Sequence, residues 1–268
     1  MAMELPTFKG WETIEKLGEG GMCAVFRGRS LSDSTQDRAI KVLYDNAPNA
    51  VERFIDEARL LNEIEHKNVI KVDHIESEER PPWIVMQMLA GYDLEEGREE
   101  GAMQPTRAAE IFADVANGLA TVHSMGVRHR DIKPANIMMS HDGVAHLIDF
   151  GIARDTSKAH LTQQGFVVGT ASYLPPEIFI EDDPGAIQDS EQADVYALGQ
   201  SLCEVLSGSA VHSREGAGTT QMVAIIKDKM DRPHLDPREW RPGVPDALAE
   251  IVIAATMQEP AERISTAI

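Results

Sequence analysis

Residues 129–136, which read HRDIKPAN, constrain this chain more than any other segment. They place a potential proton acceptor, Asp131, two residues before the cation Lys133 and five residues before Asn136, whose amide can ligate Mg²⁺. Pro134 and its polar neighbours predict a loop. The segment therefore combines an acid, a cation and a metal-binding amide in one loop.

The second informative segment is Asp149-Phe150-Gly151, which begins thirteen residues after Asn136. It follows an apolar stretch, 145–148, that predicts a buried strand. An acid at the end of a buried strand, followed by glycine, suits a metal ligand that can move. Asn136 and Asp149 together predict a divalent-metal site.

Two weaker signals lie nearer the N-terminus. The turn LGEGGMCAV at 17–25 would let backbone N–H groups approach phosphate, but alone it fits an ordinary hairpin equally well. Lys41 lies in a predicted strand, and a lysine there is costly unless its charge is paired. Glu57, in the next predicted helix, is placed to pair with it. The alternatives are an edge lysine that reaches solvent and an ordinary solvated glutamate.

The predicted elements divide the chain into a strand-rich part and a helical part. Strands are predicted over 11–17, 25–29, 38–43, 69–76, 83–89, 137–139 and 144–148, and helices over 50–64, through Ile111, Val115, Leu119 and Val122 to near Gly126, and over 191–207, 219–228 and 245–256. We therefore expect an N-lobe over 1–89 and a C-lobe over 90–268, joined near 87–91 with a cleft between them.

Charge and composition exclude several partners. The formal net charge is −19, so the chain as a whole should repel nucleic acid and anionic membranes. No apolar run approaches the roughly 18 residues that span a bilayer, and no signal peptide is visible. Cys23 and Cys203 are expected to be free thiols in a reducing, cytoplasmic compartment.

These motifs, in this order and with this spacing, resemble the eukaryotic-like serine/threonine protein kinases, and most closely their bacterial branch. The resemblance covers nearly the whole chain. It implies an α+β, two-lobed protein kinase fold, with a small antiparallel-sheet N-lobe that carries one main helix and a larger helical C-lobe. It also implies transfer of the γ-phosphate of ATP to serine or threonine hydroxyls of proteins, with Mg²⁺, or alternatively Mn²⁺, as the metal.

The resemblance gives a role to each motif. The expected catalytic side chains are Lys41, Glu57, Asp131 and Lys133, and the expected metal ligands are Asn136 and Asp149. The residues expected to contact ATP are Leu17, Gly18, Glu19, Gly20, Gly21, Met22, Cys23, Val25, Ala39, Lys41, Met86, Gln87, Leu89, Asp93, Lys133, Asn136, Met138 and Asp149. Lys133, two residues after the acid, matches the family's serine/threonine pattern rather than its tyrosine pattern.

Among the ATP contacts, Met86 would be the gatekeeper, the backbone of Gln87 and Leu89 would hydrogen-bond adenine, and Asp93 would contact ribose. Leu17, Val25, Ala39 and Met138 would sandwich the base. Plain core packing is the alternative for these apolar residues.

Residues 169–177 (GTASYLPPE) resemble the substrate-docking end of the family's activation segment, and 194–199 (DVYALG) its central helical anchor. Arg263 is expected to pair with Glu177. His129 and Phe150 are expected to stack with Leu61 and Val72 as a hydrophobic column.

We also expect autophosphorylation at Thr162, with Arg130 receiving the phosphate as a bidentate pair. Thr162 as a solvated loop residue is the alternative. Dimerisation for phosphorylation in trans is left open.

The chain departs from the family pattern at three points. Cys23 replaces the third glycine of the loop, as a tolerated small residue or as a redox-sensitive thiol. Pro175 replaces an alanine before Pro176-Glu177. The sequence stops five residues after Arg263, so we expect a fragment of a longer protein, and anchoring to a membrane by a segment outside this sequence is left open.

Two rival functions were weighed. A pseudokinase that acts as a nucleotide-binding signalling module needs a missing catalytic group, and Lys41, Glu57, Asp131, Asn136 and Asp149 are all present. A small-molecule kinase of related fold would lack the docking stretch at 169–177 and the pattern at 194–199.

Overall fold

The computed structural model describes residues 5–20, 22–151, 172–180, 187, 189–212 and 219–265. These residues fall into two compact units. The N-terminal unit holds the described residues up to 66 together with 70–90. The C-terminal unit holds 67–69, 91–151 and the described residues beyond.

The N-terminal unit is built on a five-stranded antiparallel sheet with the order β1-β2-β3-β5-β4. Its strands are β1 (Trp11–Glu19), β2 (Cys23–Ser30), β3 (Asp37–Leu43), β4 (Val72–Glu76) and β5 (Trp83–Gln87). One helix, α1 (Pro48–Asn62), follows β3.

Side-chain burial alternates along β2, so one face of the sheet is buried there and the other is half-buried. Ala24 and Phe26 of β2 are buried while their neighbours are half-buried, the period-two pattern of a strand. Phe26 packs against Phe8, which also packs against Trp83, with ring centroids 5.8 and 5.5 Å apart. Helix α1 buries Phe54, Ala58 and Leu61 at helical spacing.

The C-terminal unit combines a small sheet with five α-helices among its described residues. The sheet has the order β6-β7-β8, with β6 (Gly91–Asp93), β7 (Ile137–Ser140) and β8 (Ala145–Leu147). The helices are α2 (Leu94–Glu99), α3 (Pro105–Ser124), α4 (Glu191–Ser207), α5 (Thr219–Asp231) and α6 (Asp246–Ala255).

Helix α4 is the buried centre of this unit. Almost every residue from Ala193 to Leu206 is buried, so this part of the helix has no face exposed to solvent. Ser190 caps its start by accepting a hydrogen bond from the N–H of Ala193 at 3.1 Å. Gly199 is required by packing, because a Cβ there would lie 2.6 Å from the Cβ of Ala255.

The expected strand over 69–76 was wrong at its start. The strand begins at Val72, and Val69 instead forms a parallel bridge with Leu147. The Asn68 side chain donates to the carbonyl of Ala145 at 2.7 Å, and the N–H of Leu147 donates to the carbonyl of Asn68 at 2.8 Å. These bonds tie residues 67–69 to the C-terminal unit, which sequence periodicity could not indicate. Of the helices in the described ranges, none is both long and apolar enough to cross a bilayer.

Candidate active site

The catalytic-loop residues predicted from HRDIKPAN converge on one carboxylate oxygen. Lys133 Nζ and Asn136 Nδ2 both donate to Oδ2 of Asp131, each at 3.0 Å. Asn136 Nδ2 also donates to the backbone carbonyl of Asp131 at 2.7 Å. The structure therefore brings the predicted acid, cation and amide into direct contact.

A second carboxylate, that of Asp194, binds the backbone of this loop. Asp194, 2% exposed at the start of α4, accepts hydrogen bonds from the N–H groups of His129 and Arg130 at 2.8 and 2.9 Å. It also pairs with Nε2 of the buried His123 at 2.8 Å. Buried bonds to a carboxylate are strong, so Asp194 fixes the backbone that carries Asp131.

The buried imidazole ring of His129 is uncharged. Its Nε2 donates to the carbonyl of Ile148 at 3.0 Å, and its Nδ1 accepts from the N–H of Asp131 at 3.3 Å. One donor and one acceptor are the signature of the uncharged ring. Burial lowers the pKa of His129 and agrees with that state. The ring packs on Phe150 with centroids 4.4 Å apart, whereas their predicted stacking with Leu61 and Val72 stays a prediction.

Two backbone bonds join the catalytic loop to the Asp149 segment. The N–H of Gly151 donates to the carbonyl of His129 at 2.9 Å, and that of Ile148 donates to the carbonyl of Asn136 at 3.0 Å. Asp149 and Arg130 have positive φ angles, 57° and 63°. Non-glycine residues adopt this left-handed conformation at a cost of about 1–3 kcal/mol, and such strain concentrates at functional sites.

The donor set around Asn136 fits a hard divalent cation. Both bonds from Nδ2 go to Asp131, so the amide oxygen of Asn136 is turned away from that residue. An amide oxygen and the carboxylate of Asp149 are the oxygen ligands that Mg²⁺ prefers. Within the described ranges no group of three or more His, Cys, Asp or Glu side chains could hold a metal by itself.

The Arg130 side chain, which was predicted to pair with a phosphate, is already paired with a carboxylate. Its guanidinium donates to Oδ1 of Asp189 through Nε at 2.8 Å and through NH2 at 2.6 Å. Sequence reasoning missed Asp189, because 59 residues separate it from Arg130 and no motif links them. Thr162, with Thr156, Ser157 and Thr170, lies outside the described residues.

In the N-terminal unit, sheet register brings several predicted ATP contacts together. Val25 of β2 and Ile84 of β5 flank Lys41 of β3, and Ala39 stands opposite Met86. Lys41 is 5% exposed, which makes the edge-lysine alternative wrong. Glu57 lies half-buried on α1, and its pairing with Lys41 stays a prediction.

The glycine-rich turn is shorter than the sequence indicated. Strands β1 and β2 run to Glu19 and from Cys23, and the N–H of Gly20 donates to the carbonyl of Cys23 at 2.7 Å. Gly21 lies outside the described residues. Among the described residues, a Cβ on Gly18 would meet nothing within 4 Å, and one on Gly20 only a carbonyl at 3.8 Å. The protein's own packing therefore does not require glycine there, as expected if an outside group must approach.

Most of the predicted adenine and ribose contacts lie on paired strands, but Leu89 does not, because β5 ends at Gln87 rather than at residue 89 as the sequence indicated. The N–H of Gln87 already donates to the carbonyl of Lys71 at 2.9 Å, so only its carbonyl could meet adenine. Met86 and Leu89 are each 9% exposed. In the C-terminal unit, Asp93 of β6 stands opposite Met138 of β7.

Asp93 has a structural task that the sequence did not reveal. Its carboxylate accepts from the N–H of Glu96 at 2.9 Å, and Glu96 reaches back to the N–H of Asp93, which is a capping box for α2. Burial raises the pKa of the Asp93 carboxyl.

The described part of the docking stretch is tied to α4. Tyr173 donates to Oε2 of the buried Glu204 at 2.7 Å, and Gln200 donates to the carbonyl of Ser172 at 2.9 Å. The predicted pair of Arg263 with Glu177 is confirmed as two parallel bonds of 2.7 and 2.6 Å. Gln200 and Glu204, two polar residues four apart in a stretch of mostly small and apolar residues, were the available sequence signal for the bonds to residues 172 and 173.

The chain belongs to the protein kinase domain family, whose model matches residues 11–267. It is 32% identical to the serine/threonine-protein kinase PknH of Mycobacterium bovis over 94% of this chain and 41% of the relative. It is 31% identical to the serine/threonine-protein kinase PrkC of Bacillus subtilis over 96% of this chain and 39% of the relative.

Among solved structures, the kinase domain of Mycobacterium tuberculosis PknI superposes with a TM-score of 0.69 at 23% identity, covering 97% of this chain and 94% of that one. This likeness confirms the predicted fold. The chain spans about two fifths of the length of the curated relatives described above. Family membership implies that the domain uses ATP and a divalent metal.

Proposed function

We propose that this domain is a serine/threonine protein kinase that transfers the γ-phosphate of ATP to protein hydroxyls. The observation that carries the proposal is the convergence of Lys133 and Asn136 on one oxygen of Asp131. A carboxylate oriented by two donors is arranged to receive a proton from an incoming hydroxyl. The names of the bacterial relatives support the same activity.

In this proposal three side chains of the C-terminal unit serve the transfer: Asp131 and Lys133 directly, and Asp194 through the backbone. Asp131 orients the substrate hydroxyl and takes its proton late, because phosphoryl transfer depends mainly on alignment and charge stabilisation. Lys133 donates to Asp131 and is placed to stabilise negative charge on the γ-phosphate. Asp194 acts through the backbone, by holding His129 and Arg130.

The N-terminal unit would bind and orient the nucleotide. Lys41, held by Glu57, would contact the α- and β-phosphates, and the backbone around Gly18 and Gly20 would cover them. The open space where Cβ atoms would stand at these glycines supports this role. The Gln87 carbonyl, together with the backbone of Leu89, would hydrogen-bond adenine.

Asn136 and Asp149 would hold the metal, which neutralises charge on the phosphates when bound. Mg²⁺ commonly takes one or two protein oxygens and completes its shell with phosphates and water, which this pair allows. Mg²⁺ is the proposed ion, with Mn²⁺ as the alternative.

Transfer of radiolabelled phosphate to a basic protein substrate, followed by phosphoamino-acid analysis, tests the proposal. We expect label on serine and threonine with Mg²⁺, and a slower or equal rate with Mn²⁺. The Lys41→Met variant should lose transfer while it stays folded, because the orienting charge is gone. Binding of ATP without any transfer would instead favour the pseudokinase alternative.

We further propose that the domain phosphorylates itself at Thr162 and that it works in the cytoplasm. The boundary between its two lobes is proposed near residues 87–91. A phosphate at Thr162 would have to displace Asp189 from Arg130 to form the expected pair. Peptide mass spectrometry after incubation with Mg²⁺-ATP locates the modified residue. Full activity of Thr162→Ala, with phosphate only on other residues, would refute this assignment.

A further inference from the structure

Lys229 is a buried lysine that no part of the proposed chemistry uses. It lies in the last turn of α5 and is 1% exposed. Its ammonium donates to Oε1 of Gln200 at 2.9 Å and to the hydroxyl of Tyr196 at 3.2 Å, and lies 4.7 Å from the centroid of the Tyr196 ring. In the described ranges both hydrogen-bond acceptors are uncharged, although a buried ammonium is costly to keep.

Lys229 fixes the orientation of the Gln200 amide. Because the oxygen of this amide faces the ammonium, its nitrogen faces the other way. The nitrogen donates to the carbonyl of Ser172 at 2.9 Å and lies 3.4 Å from Oε1 of Glu204. An amide whose oxygen accepts from a cation is also a better donor, because hydrogen bonds in a chain polarise one another.

The same network holds the next residue of the docking stretch. Glu204 accepts the Tyr173 hydroxyl at 2.7 Å. Electrostatic attraction links Glu204 to Lys229, and the other charged groups facing the lysine are Asp228 on α5, Glu177 in the 176–179 turn and Arg263. The Lys229 ammonium on α5 and the Gln200 amide on α4 together fix the backbone position of residues 172 and 173.

Apolar packing connects the same elements. Met222, on α5, packs against Leu174 and Ile178, the residues that continue the docking stretch. Helix α5 therefore contacts this segment directly through Met222 and indirectly through Lys229 and Gln200. A helix that reaches a substrate-facing segment by two routes is placed to control its position.

We propose that Gln200 and Lys229 are positioning residues that set the peptide-binding geometry of residues 172–174. The proposal rests on the proposed kinase function of this domain. It predicts a change in the KM for peptide, with little change in kcat or in the KM for ATP, because neither residue touches the catalytic loop bonds at Asp131.

Three variants and a control test it. Gln200→Met removes the donor to Ser172, and Lys229→Met removes the cation at similar side-chain volume. The double variant removes both partners of the Lys229–Gln200 bond, so it should be more stable than Lys229→Met, although the Ser172 carbonyl still loses its donor. Lys227→Met, on the exposed face of the same helix, is the matched control.

We expect the peptide KM to rise about fivefold in Gln200→Met and in the double variant, the effect of one lost buried hydrogen bond. The melting temperature of the double variant should nevertheless lie above that of Lys229→Met. A double variant that is stable and has a wild-type peptide KM would show that the pair has only a structural role. An equal rise in Lys227→Met would also overturn the proposal.

Hydrogen exchange keeps the test decisive if the wild-type domain transfers no phosphate. That result would refute the proposed function, but the peptide covering residues 172–180 should still exchange faster in Gln200→Met and the double variant than in Lys227→Met. Equal exchange in the wild type, Gln200→Met, the double variant and Lys227→Met would refute the positioning role itself. If Lys229→Met alone does not fold, the double variant supplies both measurements.

Discussion

In the N-terminal unit the predicted ATP contacts stand on neighbouring strands, and backbone pairing of β2, β3 and β5 places them. In the C-terminal unit the predicted catalytic groups are held by side-chain hydrogen bonds to buried carboxylates and amides. Backbone ladders tolerate changes of side chain, whereas a buried carboxylate that loses its partner is left with an uncompensated charge. We therefore expect polar substitutions to be far more costly in the C-terminal unit.

The largest expected effect on stability comes from breaking the Glu177–Arg263 pair. Arg263→Met leaves Glu177 buried without its bidentate partner, so the free energy of unfolding should fall by about 3–5 kcal/mol. The control in the N-terminal unit is Arg59→Met, which removes an exposed pair with Asp56 and should change stability by about 0.5 kcal/mol or less. Similar losses in urea unfolding of the two variants would contradict the contrast.

A smaller effect should follow from pH. Burial lowers the pKa of Lys229 to about 7, whereas the unfolded lysine keeps its proton well above pH 8.5. Between pH 7 and pH 8.5 the unfolded state therefore binds more protons, and the free energy of unfolding should rise with pH by about 1–2 kcal/mol. Lys229→Met should abolish this rise.

Three neighbouring groups with shifted pKa values define the pH window of that measurement. Burial raises the pKa of the Cys203 thiol and of Tyr196, which lowers stability as pH rises beyond the usual range of a thiol. Burial lowers the pKa of His212 to about 4, so its contribution is lost as pH falls from about 6.5 and does not overlap. A stability curve that is flat from pH 7 to 8.5 in the wild type would show that Lys229 does not titrate there.

Two substitutions of Asp93 should distinguish its capping of α2 from a contact with the nucleotide. Asp93→Ala removes the cap of α2 and should cost about 1 kcal/mol, whereas Asp93→Asn keeps a capping oxygen and should cost little. Both variants should raise the KM for ATP about threefold if the carboxylate contacts ribose, the effect of one exposed hydrogen bond. An unchanged KM in both would leave Asp93 as a cap alone.

The smallest effect is expected at Cys23 in the N-terminal unit. Cys23→Gly should cost about 0.5–1 kcal/mol of stability, because glycine inside a paired strand is unfavourable, and should leave transfer equal or higher. It should also remove any inhibition by peroxide, since oxidation of a half-buried thiol beside the glycine-rich turn would crowd the nucleotide. Inhibition that persists in this variant would point to another residue.

The parts of this molecule that could be predicted from sequence are those fixed by local spacing. The 129–136 loop, the Asp149 segment and the bounds of helix 191–207 all follow from short patterns, and the structure confirms that helix at Glu191–Ser207. The Glu177–Arg263 pair, 86 residues apart, was reached only through resemblance to a family.

What could not be predicted depends on contacts between distant segments. No local pattern places Asp189 on Arg130, or buries Lys229 against Gln200. Exposed and buried lysines look alike in sequence when the helix that carries them has a mixed polar face. The left-handed backbone at Asp149 was equally invisible, because it results from bonds that neighbouring segments impose.

The most direct test of the account compares phosphate transfer with nucleotide binding in Asp131→Asn. Asparagine keeps the shape of the loop but cannot take a proton, so transfer of radiolabelled phosphate should fall about a thousandfold. Binding of Mg²⁺-ATP, measured by calorimetry, should stay within about threefold of the wild type, since Asp131 is not itself a predicted ATP contact and asparagine keeps an oxygen that Lys133 and Asn136 can donate to. Transfer near the wild-type rate, or a parallel loss of ATP binding, would contradict the role of Asp131 as the proton acceptor.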